Sequence, residues 1–269
     1  SYGGTSEFCT DGNDPSATIT GTTGGTFTAT PSGLTIDAST GTIDVSASTA
    51  ATYDVTYTPP AIEQLGSDID GVAYTDHFGF AVSMSNDGNR MVIGANYDDT
   101  PGSNAGSVEV YEYSSGSWTK MGSTINGEAT GDYFGNSVSM NGAGTRIVVG
   151  ANLNDGNGSN SGHVRVYQFA NNSWTQLGND IDGEAAGDNF GISVSLSDSG
   201  KFLAVGALKN DGANGSDSGH ARVYTLNAGS WVQQGADIDG EATESLTFST
   251  RNIIKESSFW DKISLVFFS

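Results

Sequence analysis

Basic residues are nearly missing from this chain. Ten Lys and Arg stand against 31 Asp and Glu over 269 residues, a net charge of −21, and residues 1–60 contain neither Lys nor Arg. Nucleic acid is thereby excluded as a partner, because phosphate binding needs clustered cations. Divalent cations or a basic partner complement such a surface. A single cysteine, Cys9, rules out an internal disulfide framework and leaves zinc sites unsupported. No apolar run approaches the ~20 residues that span a bilayer, and no basic segment followed by an apolar one begins the chain. Leu and Lys are few, whereas Gly reaches 38 residues among many Ser, Thr, Asn and Asp. That composition builds strands and turns rather than helices.

What is present is a repeat. Phe78-Gly79, Phe134-Gly135 and Phe190-Gly191 are spaced by 56 residues, and Gly94-Ala95, Gly150-Ala151 and Gly206-Ala207 keep the same interval. Trp118, Trp174 and Trp231 follow at 56 and 57 residues. Within one copy, Phe134 to Met140 alternates as a half-buried strand, and Thr145 to Gly150 is a β-branched run suited to burial on both faces. His163 to Phe169 alternates as a third strand, and Trp174 to Leu177 makes a fourth. Residues Asp180 to Asp188 then lead to the next Phe-Gly. Four short antiparallel strands per unit is the arithmetic of a propeller blade. A residue present in every copy is architectural rather than catalytic, which argues against an enzyme; Ser83, Ser139 and Ser195 are such positions.

Residues 1–60 differ. Short alternations at 18–20, 26–28, 34–36, 42–45 and 53–57 are separated by Gly-rich or Asp/Ser-rich turns, as in a small β-sandwich. The run Gly24-Gly25-Thr26-Phe27, Gly33-Leu34-Thr35-Ile36, Ser39-Thr40-Gly41-Thr42-Ile43 and Tyr53-Asp54-Val55-Thr56-Tyr57 resembles immunoglobulin-like or cadherin-like modules of bacterial surface proteins. Pro59-Pro60 stiffens the exit.

From residue 61, Phe-Gly-x-Ser-Val, then Val-Gly-Ala, then a Gly-rich approach to Val-x-Val-Tyr resembles the FG-GAP repeat of integrin-α-type β-propellers, complete at 78–113, 134–169 and 190–226. The expected organisation is an all-β chain: a sandwich over 1–60, then repeats over 61–244 (65–120, 121–176, 177–233 and a partial fourth), then an atypical tail over 245–269. The tail has no glycine and ends Leu265-Val266-Phe267-Phe268, which reads as a frame shift or truncation. Three blades cannot close a ring of four to eight, so an open arc with exposed terminal faces is expected, its missing blades supplied by the rest of a parent protein.

Many FG-GAP repeats carry a calcium loop between the first and second strands. Here those stretches are 85–89, 141–144 and 197–200, too short and too poor in carboxylates, so tight turns are expected there. Strand alternation places the two–three and four–one loops on one face, and the acids collect on it. Asp180, Asp182 and Asp188, with Asp68, Asp70 and Asp76, are the candidate Ca2+ ligands. Equally, Asp and Asn beside Gly form Asx-turns in tight loops. Asp98, Asp99, Asp155, Asp211 and Asp217 complete the candidate ligand face, the face that related propellers use for ligand contact. His163 and His220 occupy equivalent positions, with Ser107 in the first copy, and read as blade-surface residues. The Trp positions serve either as packing between blades or as stacking platforms for sugars.

The function expected from these features is a non-catalytic, extracellular or cell-surface adhesion module. It would contact a protein or glycan through the acidic face, with no required cofactor and Ca2+ as an optional bridge. An accessory domain of a larger secreted enzyme, or a structural spacer, is the alternative.

Overall fold

The computed structural model describes residues 14–19, 23–61, 63–100, 102–212 and 215–240. The anomalous tail, the end of the partial fourth repeat and Cys9 lie outside them. Two compact units divide between Gln64 and Leu65, four residues beyond Pro60. All regular structure in the described residues is β, and no helix there is long and apolar enough to cross a membrane.

In the amino-terminal unit, β1 (Thr26–Thr30) pairs antiparallel with β4 (Asp54–Thr58), and β2 (Thr35–Ile36) with β3 (Ile43–Asp44). Alternation turns Phe27 inward with Ile43 and Val45, and the Phe27 and Tyr57 rings meet at 4.8 Å. Of the expected strand at 18–20, Thr18 and Ile19 lie outside any strand and Thr20 is not described. Two small ladders are therefore what the described residues form.

The second unit is three sheets of one pattern. The first holds β5 (Ala81–Met84), β6 (Arg90–Ala95), β7 (Ser107–Ser114), β8 (Ser117–Lys120) and β9 (Ile125–Asn126). The second holds β10 (Ser137–Met140), β11 (Arg146–Ala151), β12 (His163–Ala170), β13 (Ser173–Gln176) and β14 (Ile181–Asp182). The third holds β15 (Phe190–Leu196), β16 (Phe202–Ala207), β17 (His220–Asn227), β18 (Ser230–Gln233) and β19 (Ile238–Asp239). In each, four antiparallel strands run in chain order, and a short fifth returns to pair with the start of the third. These are three blades of an incomplete propeller.

The fifth strand departs from expectation. Ile181 and Asp182 pair with Val164 and His163 rather than lying in a loop, because half-buried Ile181 packs on the core between blades. The first strand begins at Phe190 only in the third blade, where a bulge follows it. The one–two connections are tight turns: Gly88, Gly144 and Gly200 have φ of +73°, +64° and +68°. Asp87 accepts from Ser85 Oγ and the Asn89 amide, and Asn141 Oδ1 from the amides of Thr145 and Arg146.

Successive residues of the second strand face opposite neighbours. Ile147 and Val149 pack toward the first blade with Val92, Val108 and Val110, while Val148 packs toward the third with Val205 and Leu203. This explains the uninterrupted β-branched runs, since both faces are dry; each such side chain contributes about 1.5–3 kcal/mol on burial.

The Phe-Gly and Gly-Ala pairs meet across blades. Gly135, at φ +90°, turns its carbonyl onto Gly94 of the preceding blade, where a Cβ would lie 2.2 Å from that oxygen. Gly191 does the same to Gly150 at 2.1 Å. Phe134 and Phe190 are fully buried. Each Trp Nε1 donates backwards: Trp118 to Leu65 O, Trp174 to Met121 O and Trp231 to Leu177 O at 2.8, 2.8 and 3.0 Å. The indoles lock the chain entering each blade.

Candidate ligand-binding face

The two–three and four–one loops share one end of the blades and interlock. Asp132 and Asp188, both buried, accept from Asn154 and Asn210 Nδ2 at 2.9 and 3.1 Å, and from the amides of Ala129 and Ala185. Asp188 is therefore a loop clamp. The exposed carboxylates hold their own turns: Asp99 accepts from Asn104 N, Asp155 from Asn160 N and Asp211 from Asp217 N. Asp98 accepts from Thr100 N and Ser107 Oγ. Asp68 and Asp70 are exposed and Asp182 half-buried.

Asp180 does not stand free. Arg165 donates to both its oxygens, from Nε at 3.0 Å and from its terminal nitrogen at 2.9 Å, and also pairs with Glu128. Arg222 repeats this with Asp237 and Glu184 in the third blade. His163 and His220 complete the two groups. Each set of Glu, His and Asp atoms lies close enough together to hold a metal ion, but a guanidinium already supplies the cation. Burial opposes the charge on Asp180, yet the bonds from Arg165 and Gln176 outweigh it and hold the carboxyl below its usual range.

The two histidines correct the surface reading, being 2% and 1% exposed. They sit in the third strand, paired with Asp182 and Asp239 of the fifth strand, whose pairing was not anticipated. Burial pushes both below the ordinary histidine range despite the neighbouring acids, so both are neutral at pH 7.

The first blade inverts this network. Glu109 stands where the others have Arg165 and Arg222, Lys120 where they have Gln, Thr124 where they have Asp, and Val72 where they have Glu. Lys120 pairs with Glu109, and Thr124 and Tyr111 donate to it. Burial opposes the Glu109 charge, but these donors keep its carboxyl below the usual range.

A second departure leaves acids uncompensated. Asp98 replaces the Asn of the clamp, so Asp76 faces a carboxylate where Asp132 and Asp188 face an amide. Burial, then Asp98, then Asp99 raise the Asp76 pKa. Beside these acids the His77 ring meets Tyr97 at 4.3 Å, tilted by 44°, and Tyr97 meets Tyr133 edge-on at 4.8 Å. Tyr74 is 97% exposed. Carboxylates beside aromatic faces are the surroundings a cationic side chain prefers. Tyr97 and Tyr133 were not among the expected site residues. Their signal was a break in the repeat, since Leu153 and Lys209 replace Tyr97 and Asn189 replaces Tyr133.

The concave patch of the amino-terminal unit, lined by Asp14, Asp37 and Asp44, is open. Asp37 and Asp44 accept from Ser39, Thr40, Ser46 and Ala47 of their own turns.

With blades and loops in place, the chain is recognised by the FG-GAP repeat family over residues 68–111, 124–167 and 181–224. It carries three FG-GAP repeats, each ending in the third strand of one blade. The curated proteins contain no match. Among solved structures it is similar to hydrazine synthase of Kuenenia stuttgartiensis, at 13% identity and a TM-score of 0.39, over 70% of this chain and 47% of that one. It is also similar to a 6-phosphogluconolactonase-like protein of Bacteroides uniformis, at 13% identity and a TM-score of 0.42, over 81% and 54%. The chain spans about half the length of these two structures.

Proposed function

We propose that this chain is a non-catalytic binding module, displayed outside the cell or on its surface. Its ligand is a protein carrying an exposed Lys or Arg, received on the loop face of the first blade. The observation that carries this reading is the cluster of Asp76, Asp98 and Asp99 beside His77, Tyr97 and Tyr133. It is a place where the repeat abandons its own Asp–Asn clamp and leaves like charges together. A partner's cation relieves that repulsion and stacks on the rings. Arg165 and Arg222 already neutralise the inner carboxylates of the other two blades, which leaves the first blade as the one that offers uncompensated charge. The amino-terminal unit serves as an immunoglobulin-like or cadherin-like spacer, a reading supported by its sequence pattern and its β1–β4 ladder.

The test is an array of surface and matrix proteins probed with the intact chain and with the Asp76→Asn/Asp98→Asn/Asp99→Asn variant. Asn keeps the turn-forming oxygen and removes the charge. Binding to basic ligands should fall by about tenfold or more, the loss of roughly one close charge pair, with the melting temperature kept or raised. Unchanged binding by the variant, or binding confined to glycans, contradicts the proposal.

A further inference from the structure

The turn between the third and fourth strands is built alike in the three blades. Its two central residues are left-handed: Ser115-Gly116 at φ +53° and +87°, Asn171-Asn172 at +51° and +59°, and Ala228-Gly229 at +48° and +86°. Such a turn favours glycine at its second position, as the first and third blades have it. The middle blade alone gives that glycine up, although Asn enters the left-handed region less freely than Gly. The exchange creates Asn171-Asn172-Ser173, an Asn-x-Ser acceptor triplet for N-glycosylation.

Its surroundings differ from those of a second triplet, Asn157-Gly158-Ser159. Asn171, Asn172 and Ser173 are all exposed, and among the described residues nothing bonds to the Asn171 amide or the Ser173 hydroxyl. Asn157 lies instead in a two–three loop, where its Nδ2 donates to Gly183 O at 2.9 Å. Its neighbour Gly158, at φ +136°, has a Cβ position 3.0 Å from Ala186. The Asn157 amide is spent on holding two loops of the ligand face together, and a sugar on it would push them apart. Asn171 Nδ2 has no such task.

The position also suits a bulky polar group. Ala170 pairs with Ser173 at the tip of the outer hairpin, and β13 is the edge of its sheet. Strand alternation sends this turn to the end of the blades opposite the two–three and four–one loops. A glycan there leaves the loop face clear. It also covers an edge strand, Ser173-Trp174-Thr175-Gln176, that carries no charge to deter pairing with another chain.

We propose that Asn171 is an N-glycosylation site. The donor is an oligosaccharide carried on a polyprenyl diphosphate. Asn171 Nδ2 attacks the anomeric carbon and forms the carbon–nitrogen bond, while the carbon–oxygen bond to the diphosphate breaks and its electron pair leaves with the diphosphate. The amide gives up one proton to a base of the transferase. The Ser173 hydroxyl, two residues on, is the second group the transferase reads. The site presupposes the extracellular placement proposed for the chain, since acceptor triplets are used on secreted surface loops.

Peptide mass spectrometry of the chain taken from its own source, before and after a peptide N-glycosidase in heavy-oxygen water, tests this. Asn171 is expected to carry a glycan before treatment and to read as isotope-labelled aspartate after it, whereas Asn157 stays bare. In the chain secreted from a eukaryotic host, Ser173→Ala should lose the glycan entirely and melt with the deglycosylated parent, as exposed substitutions do. Asn172→Gly, which restores the turn of the other blades and keeps the triplet, should retain it. A bare Asn171 on the secreted chain, from its source or from the host, overturns the assignment and leaves the proposed function standing. A chain found only inside the cell overturns both. A glycan that survives Ser173→Ala, or one on Asn157 instead, also overturns the assignment.

Discussion

At the scale of single residues, glycine and histidine carry the most information. In the first two Gly-Ala pairs the glycine, Gly94 or Gly150, is fixed by another blade's carbonyl, not by its own backbone angles. Gly94→Ala and Gly150→Ala are expected to cost about 1–3 kcal/mol, which thermal melting reads as a loss of roughly 2–10 °C. His163 and His220 are held neutral by burial, with folded pKa values below the unfolded one. As pH falls through about 6.5 the unfolded chain takes up protons that these buried rings refuse, so stability drops there and is unaffected well above it. The His163→Ser/His220→Ser variant, which installs the residue of the first blade, is expected to flatten the fall in melting temperature between about pH 7 and pH 5. An unaltered slope counts against the burial of these rings. The periodicity of the histidines was legible in the sequence, but their depth was not. It depends on the two-residue fifth strands, too short to show any alternation.

At the scale of elements, the polar network under the fifth strand comes in two charge senses. Arg165 with Asp180 and Glu128, and Arg222 with Asp237 and Glu184, are one sense; Glu109 with Lys120 and Thr124 is the other. The coordinated swap was visible by aligning the copies, yet only the structure brings residues 109, 120 and 124 together. Glu109→Arg alone places a cation beside Lys120 with no acid to meet it, an expected loss of about 1.5–3 kcal/mol. Adding Val72→Glu and Thr124→Asp should recover most of it, as measured by urea denaturation. Failure of that rescue would show the blades not to be interchangeable here. Strand identities were readable because four strands repeat in phase over three copies. The amino-terminal unit has no second copy against which to set its short alternations, and one expected strand, at 18–20, is absent at Thr18 and Ile19.

At the scale of the whole molecule, the acids of the loop face divide into three kinds. Some are internal clamps (Asp132 and Asp188), some are neutralised by arginine (Asp180 and Asp237), and some cluster without compensation (Asp76, Asp98 and Asp99). The sequence marks all of them alike as loop carboxylates. Their partners, Asn154, Asn210, Arg165 and Arg222, lie 15 or 22 residues away, which is why a calcium site at Asp180 and an ion pair at Asp180 are indistinguishable without the fold. Asp98→Asn recreates the Asp–Asn clamp in the first blade and is expected to raise the melting temperature. The central claim is that arginine, not a metal ion, balances the inner acids. Thermal melting with and without about 5 mM Ca2+, above the ~10⁻⁴–10⁻³ M dissociation constants of extracellular calcium modules, tests it most directly. A shift within about 1 °C is predicted; a rise of about 3 °C or more, the stabilisation expected of a site filled only in the native state, would contradict it.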